Sequence, residues 1–429
     1  MHLRRPTRFL ILFFSLAATM AARAAQPNVY DAHRSGAVGD GVTKDTAAIQ
    51  TAIDTAAAAG QGTVYFPPGT YLTGSIELKS HVTLNLAAGA VLKGSPDAKD
   101  YPIIQARWEG IERKCHEALI YAHDAQDIAI TGSGSVIGEG KVGHLRNPRG
   151  PALIEPIGCK DVRITGVKVG NTGVWTMHPT YCQNVTISNV IIDSSGGNSD
   201  GIDPDSSQHV TIDHCTFSSG DDDIAIKSGK GQEGVKIGMP TDDLTVTNCT
   251  FTKGHGGVAL GSELSGGISN VKVSNCVFSG VKEALYIKSC PGRAGYVRNI
   301  QASQLTANGV PLLIIMTTYH SNPDSQGVPG DAGLTTFTNI SVSDVTASSS
   351  KNLVKIEATE QRPVDGLTLT NIKGVSRDGL IILHAKNVVL KDITLDGLHG
   401  PLLYTQDVQG TGLDGAAPYV PKTTGTTGS

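Results

Sequence analysis

The sequence predicts an all-β chain wound into a single right-handed parallel β-helix with an N-terminal capping helix. Three observations carry this. A short phrase, x-V-x-I-x-(N/D), returns along most of the chain. Asn or Asp recurs four residues past its first apolar position, at Asn189, Asn248, Asn275, Asp344, Asn371 and Asp392. The 429 residues include 51 Gly and only 5% aromatics, with Val, Ile, Thr, Ser and Asn dominating the middle. That mix favours many short strands joined by tight turns.

The first apolar residue of the phrase is Ile128, then Val162, Val185, Val210, Leu244, Val271, Ile340, Leu367 and Val388. Most intervals run from the low twenties to the mid thirties, the range of solenoid repeats. Within each phrase the apolar residues alternate, as in a strand with one buried face. One coil cannot bury that face alone, whereas stacked coils can. A propeller needs blades of about 40–45 residues, which the shorter spacing disfavours. Crossovers between parallel strands favour the right hand. The coil is predicted over residues 80–405.

The remaining elements follow in chain order. Arg4, Arg5 and Arg8, the apolar run Phe9–Ala18 and the small residues of Ala22-Arg23-Ala24 predict a secretory signal peptide over 1–24. A membrane anchor needs about 20 apolar residues, more than this run holds. No later segment is apolar enough to span a membrane, so the expected location after cleavage is periplasmic or extracellular. Thr46–Ala59 is the helix candidate, with Asp45 as its cap and Ala48, Ile49, Ala52, Ile53 and Ala56 on one face. It would cover the open end of the coil. The β-helix domain is placed at 25–408, and the Gly-, Thr- and Pro-rich tail 409–429 is expected to be disordered.

Cys215, Cys249 and Cys276 close equivalent phrases, and Cys159 and Cys182 share another position. Equivalent positions in stacked coils form buried columns, so free core thiols are expected in preference to a disulfide framework. Net charge is −4 with 17% charged residues, which gives no basic field for nucleic acid. A monomer is expected.

Counting from the first apolar residue of each phrase gives a common ruler. Asp200 lies 15 past Val185, Asp221 and Asp222 lie 11 and 12 past Val210, and His255 lies 11 past Leu244. Tyr286 and Lys288 lie 15 and 17 past Val271. Asp222 and His255 should therefore meet on adjacent coils, with Lys288 in column with Lys227 and Gly261. Such a group suits glycosidic hydrolysis, in which one carboxyl protonates the leaving oxygen and another activates water. Each motif alone would be an ordinary turn. Calcium binding by Asp221, Asp222 and Asp223 is the structural alternative. Clustered like charges gain little from turn formation, which favours a site.

The segments Gly36-Ala37-Val38-Gly39-Asp40-Gly41, Phe66-Pro67-Pro68-Gly69-Thr70-Tyr71, Arg107-Trp108-Glu109-Gly110 and Trp175-Thr176-Met177-His178-Pro179 extend the pattern. So does the ordered set Asn198-Ser199-Asp200-Gly201-Ile202-Asp203, Gly220-Asp221-Asp222, Gly254-His255-Gly256-Gly257 and Ile287-Lys288. With these the chain resembles the family 28 glycoside hydrolases, the polygalacturonases and their relatives. The resemblance implies an inverting hydrolase of galacturonate-containing pectic polysaccharide, with neither metal nor organic cofactor. It also implies Asp221 as general acid, Asp200 and Asp222 as the pair activating water, and His255 as the group tuning the acid. Asn198, Tyr286 and Lys288 would contact the sugar.

Two residues depart from the family pattern. Tyr286-Ile287-Lys288 stands where the family usually has Arg-Ile-Lys, so one neutral hydroxyl replaces a guanidinium able to clamp a carboxylate. This leaves open exo action or a rhamnogalacturonan-directed hydrolase, with Arg293 as another source of charge. The alternative for Tyr286 is packing inside the coil. Asp223 stands where the family often has Cys, and strand alternation should turn it away from its neighbours. His178 and Tyr319 are weaker groove candidates for which core or turn roles fit equally. Two other classes compete. A β-helix polysaccharide lyase is disfavoured by the missing Arg and the presence of His255. A non-catalytic carbohydrate-binding solenoid is disfavoured by the intact Asp200, Asp221 and Asp222.

Overall fold

The computed structural model describes residues 28–320 and 326–420. The signal peptide expected at 1–24 lies outside them. The chain forms a right-handed parallel β-helix whose strands merge into a 26-stranded sheet. Among the described strands every ladder is parallel except the hairpin Ile103–Trp108 with Ile111–His116.

The repeated phrases stack in register. Val162 pairs with Val185, Val185 with Val210, Val210 with Leu244 and Leu244 with Val271. Val271 is followed by Ile300, Ile340, Leu367 and Val388. Ile300 is a repeat that the phrase missed, because Ala302 occupies its second apolar position. The turn residues Asn189, Asn248, Asn275, Asp344, Asn371 and Asp392 all have positive φ, between 50° and 55°. Asn and Asp tolerate that backbone, and stacking adds side-chain ladders. Asn275 Nδ2 donates to Asn248 Oδ1, which in turn donates through its own Nδ2 to Asp213 Oδ1 at 2.8 Å.

Inside the coil, like residues pile on like. Phe217, Phe251 and Phe278 stack with centroids 4.9 and 4.6 Å apart. Cys215, Cys249 and Cys276 form a neighbouring column, and all seven cysteines are buried. Their thiols donate to carbonyls of the turns, as Cys249 Sγ does to Thr247 O at 3.1 Å.

Three expectations are corrected. The coil begins at Asn28, paired with Gly62, and not near residue 80, and it continues to Thr411. Its first turns escape the repeat because the helix Thr46–Ala58 interrupts them. That helix buries Ile49, Ala52, Ile53 and Ala56, each Ile contributing about 1.5–3 kcal/mol. The Asp45 side chain does not cap it. Asp45 accepts instead from the Val38 and Gly39 N–H groups at 2.7 and 3.1 Å, fixing the loop before the helix. The third correction concerns the tail. Leu403–Thr411 is a strand, and Ala417–Pro418 pairs with Tyr404 and Thr405, so residues 409–420 close the last coil.

Candidate active site

One of the strand stacks carries the site. It runs through Ile120–His123, Ile154–Ile157, Ile224–Ile226, Thr250–Leu260, Val281–Lys288 and Leu312–Thr317. Met177, Thr180, Ile202 and Asp205 join it as single bridges. Ile154, Met177, Ile202, Ile224, Val258, Leu285 and Ile314 point into the core. Alternation therefore puts Glu155, His178, Asp203, Ala225, Ala259, Tyr286 and Ile315 in one column on the outer face. A second outer column holds Asp205, Lys227, Gly261 and Lys288, as the ruler requires.

An open cleft lies on this face. Asp222, two residues before Ile224, projects into it beside Gly256. A Cβ at Gly256 would stand 2.8 Å from Asp222 Oδ1, an approach that only glycine permits. The Gly256 N–H instead donates to that oxygen at 2.8 Å, and Lys288 Nζ donates to Oδ2 at 2.5 Å. Burial raises the pKa of the Asp222 carboxyl, but Lys288 outweighs it and holds the group below its usual value. Asp200 has the opposite balance. Its burial, opposed by Lys227 but reinforced by Asp221 and Asp222, pushes its pKa up to about 7.

His255 stands at the rim. Its Nδ1 is 3.8 Å from Asp221 Oδ1 and 3.7 Å from Asp222 Oδ1, and its Nε2 is 3.5 Å from Glu283 Oε2. Asp221 is the exposed member of the aspartate group, with 35% of its side chain accessible. Asn198, at φ 67°, completes the predicted wall. Asp200, Asp221, Asp222, His255, Asn198 and Lys288 all line the cleft, and Tyr286 backs it.

Tyr286 does not point into the coil, since Leu285 and Ile287 do. Its ring meets His255 edge-on with centroids 5.9 Å apart, and Lys288 Nζ lies 5.0 Å from its centroid. Its hydroxyl is 3.2 Å from His320 Nδ1. Asp223 is buried and does not line the cleft, so it turns away from Asp222, although Ile224 after it also points inward. Its Oδ2 lies 2.7 Å from where a Gly254 Cβ would stand, and burial raises its pKa well above the usual range. This geometry removes Asp223 from the calcium alternative. Among the described residues, Asp221, Asp222 and His255 have ligand atoms close enough to share a cation, within 4.8 Å of one another.

One other expectation is corrected. Arg293 is fully buried beneath the cleft, with Nε donating to Ser262 O at 2.8 Å, so its guanidinium is not presented in the groove lining. It helps, after Lys227, to hold Glu263 down to about 2 against the effect of burial. His178 is buried under Trp175, with ring centroids 4.8 Å apart, and Tyr319 is exposed away from the cleft lining.

Sequence reasoning missed Glu109, Lys227, Glu263 and His320 as parts of the cleft. Glu109 was carried only within the segment Arg107-Trp108-Glu109-Gly110, and Lys227 only by its column with Lys288. Lys227 lies under the floor, 3.8, 3.5 and 3.4 Å from carboxylate oxygens of Asp200, Asp203 and Glu263, and 4.5 Å from the Trp175 ring centroid.

The hairpin Ile103–His116 closes one side. Trp108 packs on Trp175 with centroids 4.2 Å apart. Arg107 reaches Asp205 at 2.7 Å, and Lys230 N donates to Gly110 O at 3.0 Å. Beneath it Arg149 donates to both oxygens of Glu155 at 3.0 Å, and His178 Nδ1 meets Glu155 Oε1 at 2.8 Å. Glu155 and His178, the floor residues on that side, are therefore buried. On the other side the floor continues through Ile315 and Lys355, both partly exposed.

Residues 62–396 match the family model described as glycosyl hydrolases family 28. A probable polygalacturonase of Vitis vinifera is 32% identical over 357 residues, spanning 79% of this chain and 72% of that protein. An endo-polygalacturonase of Pectobacterium carotovorum subsp. carotovorum is 27% identical over 343 residues, covering 75% of this chain and 81% of its own length. The structure of a hyperthermoactive exopolygalacturonase from Thermotoga maritima superposes with a TM-score of 0.77 at 29% identity, covering 85% of this chain and 92% of that one.

Proposed function

The chain belongs to the glycosyl hydrolases family 28 and is a pectin-degrading glycoside hydrolase, and we propose that it works inward from one end of a galacturonate-containing chain. Inversion is a general property of the family. The observation that carries end-on action is the hairpin Ile103–His116. It buries the groove floor at Glu155 and His178, so the cleft is blind at Trp175 and Glu109 and open past Ile315. A chain end fits such a cleft, whereas the middle of a polymer needs both ends open.

The carboxylates divide the work. Asp221, exposed beside His255, donates its proton to the leaving oxygen as the bond to the anomeric carbon breaks. Asp222, kept ionised by Lys288, and Asp200 orient water on the opposite face and accept its proton as the new C–O bond forms. Asp200's raised pKa makes it the better proton acceptor of the two, and Lys227 beneath it limits the charge that builds up. We read the protein as an exported monomer, delivered by the segment 1–24 to the periplasm or outside the cell, where pectin is found.

Digestion of pectic oligosaccharides tests the reading. End-on hydrolysis releases one small product from the first time point, with saturated ends and inverted anomeric configuration. Asp221→Asn should lower kcat by about 10²–10⁴ while the thermal midpoint holds. A ladder of intermediate oligomers at early times would refute end-on action, and near-normal turnover in that variant would remove Asp221 as the acid.

A further inference from the structure

Tyr286 occupies the outer-face position just past the catalytic aspartates, towards the open end of the cleft. It continues the column of Ala225 and Ala259, which are too small to reach a sugar. On the reading of end-on action, this is where the first sugar retained on the chain, next to the bond that is cut, must lie.

The charges around that position are already committed. The cleft is lined by the carboxylates of Glu109, Asp200, Asp221, Asp222 and Glu263 against the ammonium groups of Lys227 and Lys288. Lys288 lies 2.5 Å from Asp222, and Lys227 sits among the three carboxylates of Asp200, Asp203 and Glu263. Both lysines are thus paired, and no guanidinium lines the cleft to receive a further carboxylate here.

What the position does offer is a neutral donor. His320 lines the cleft, and its backbone N–H is held by Ser289 O at 2.9 Å. The Tyr286 hydroxyl lies 3.2 Å from its Nδ1. When that hydroxyl donates, the imidazole proton is left on Nε2, on a ring that lines the cleft. Burial, and then Lys288, push the pKa of His320 down, which keeps the ring uncharged.

We propose that Tyr286 and His320 form a subsite for a sugar whose C6 carries no charge. His320 contacts that group, and Tyr286 positions His320. A methyl-esterified galacturonate and a neutral sugar alternating with galacturonate share this chemistry. The subsite therefore directs the enzyme to chains in which the residue beside the cut is esterified or neutral.

The test compares three substrates of equal length that share the same terminal galacturonate: a free oligogalacturonate, its methyl ester at the second residue, and an oligosaccharide with a neutral deoxyhexose there. Wild type should favour one or both uncharged partners by about tenfold or more in kcat/KM. Preference for the ester alone identifies pectin esterification as the source, and preference for the deoxyhexose alone identifies an alternating backbone. Tyr286→Phe should abolish the preference through KM while leaving the thermal midpoint within a few degrees. Tyr286→Arg should reverse it towards the free acid. His320→Gln, which retains an N–H donor, should keep part of it. Equal or better hydrolysis of the free acid by wild type, or an undiminished preference in Tyr286→Phe, overturns the subsite. Neither outcome touches end-on action, which is read from product length alone.

Discussion

The outer face of one strand stack has two halves built from the same kinds of residue. Under the hairpin, Arg149, Glu155, His178, Asp205 and Arg107 form a buried chain in which two guanidinium groups meet two carboxylates with an imidazole between. A few coils along, five carboxylates line the cleft against two lysines. In the first half buried charges are matched, so they lock the hairpin in place and none is available to react. In the second they are not matched, so pKa values spread. Asp222 falls below its usual value, whereas Asp200 rises to about 7. The same side chains build a wall where charges balance and a reactive site where they do not.

That contrast can be broken most severely from the matched half. Glu155→Gln removes the carboxylate shared by Arg149 and His178 and leaves a fully buried guanidinium without its counter-charge. A loss of about 3–5 kcal/mol is expected in urea denaturation. A loss below about 1 kcal/mol would mean that the buried chain does not hold the wall.

Asp200→Asn tests the unmatched half, with the opposite sign. The folded pKa of Asp200, about 7, lies above its ordinary 3.8. Its contribution to stability is therefore fully present below about pH 4 and is lost as pH rises towards 7. The amide escapes that loss. At pH 8 the variant should be more stable than wild type by up to about 4 kcal/mol, from about 3 units at ~1.4 kcal/mol each, and nearly equal at pH 4. Activity should collapse. Parallel stability curves for the two proteins across that range would show that Asp200 titrates normally.

The smallest effect is expected on the open floor. Lys355, 2.8 Å from Glu357 and 30% accessible, follows Tyr286 and Ile315 in the same column. Lys355→Ala should cost less than about 1 kcal/mol of stability. It should raise KM a few-fold for longer chains and leave the shortest substrates unaffected, as steady-state kinetics over a length series would reveal.

The legible parts of the protein were those that repeat. Spacing from Val210, Leu244 and Val271 placed Lys227, Gly261 and Lys288 in one column and Asp222 close to His255, because in-register parallel strands turn equal offsets in sequence into neighbours in space, whereas Asp200 comes level with Asp222 from a different offset through the bridge between Ile202 and Ile224. The start of the coil was hidden because a helix interrupts its first turn. Glu109, Glu263 and His320 were hidden because they sit on segments between strands, where the repeat imposes no offset.

Sequence alone determined the alternation of buried and exposed residues, the Asn- and Asp-bearing turns, and hence the coil and the columns of its outer face. These are local properties, written in a period of two and a repeat of a few tens of residues. Tertiary structure alone decided that the hairpin covers the floor at Glu155 and His178, that Arg293 lies beneath the cleft, and that Tyr286 faces His320. It also decided which aspartate is held ionised and which is not. Those outcomes depend on burial and on counter-charges brought from distant parts of the chain, as when Lys288 reaches Asp222 across 66 residues of sequence, and no local pattern records them.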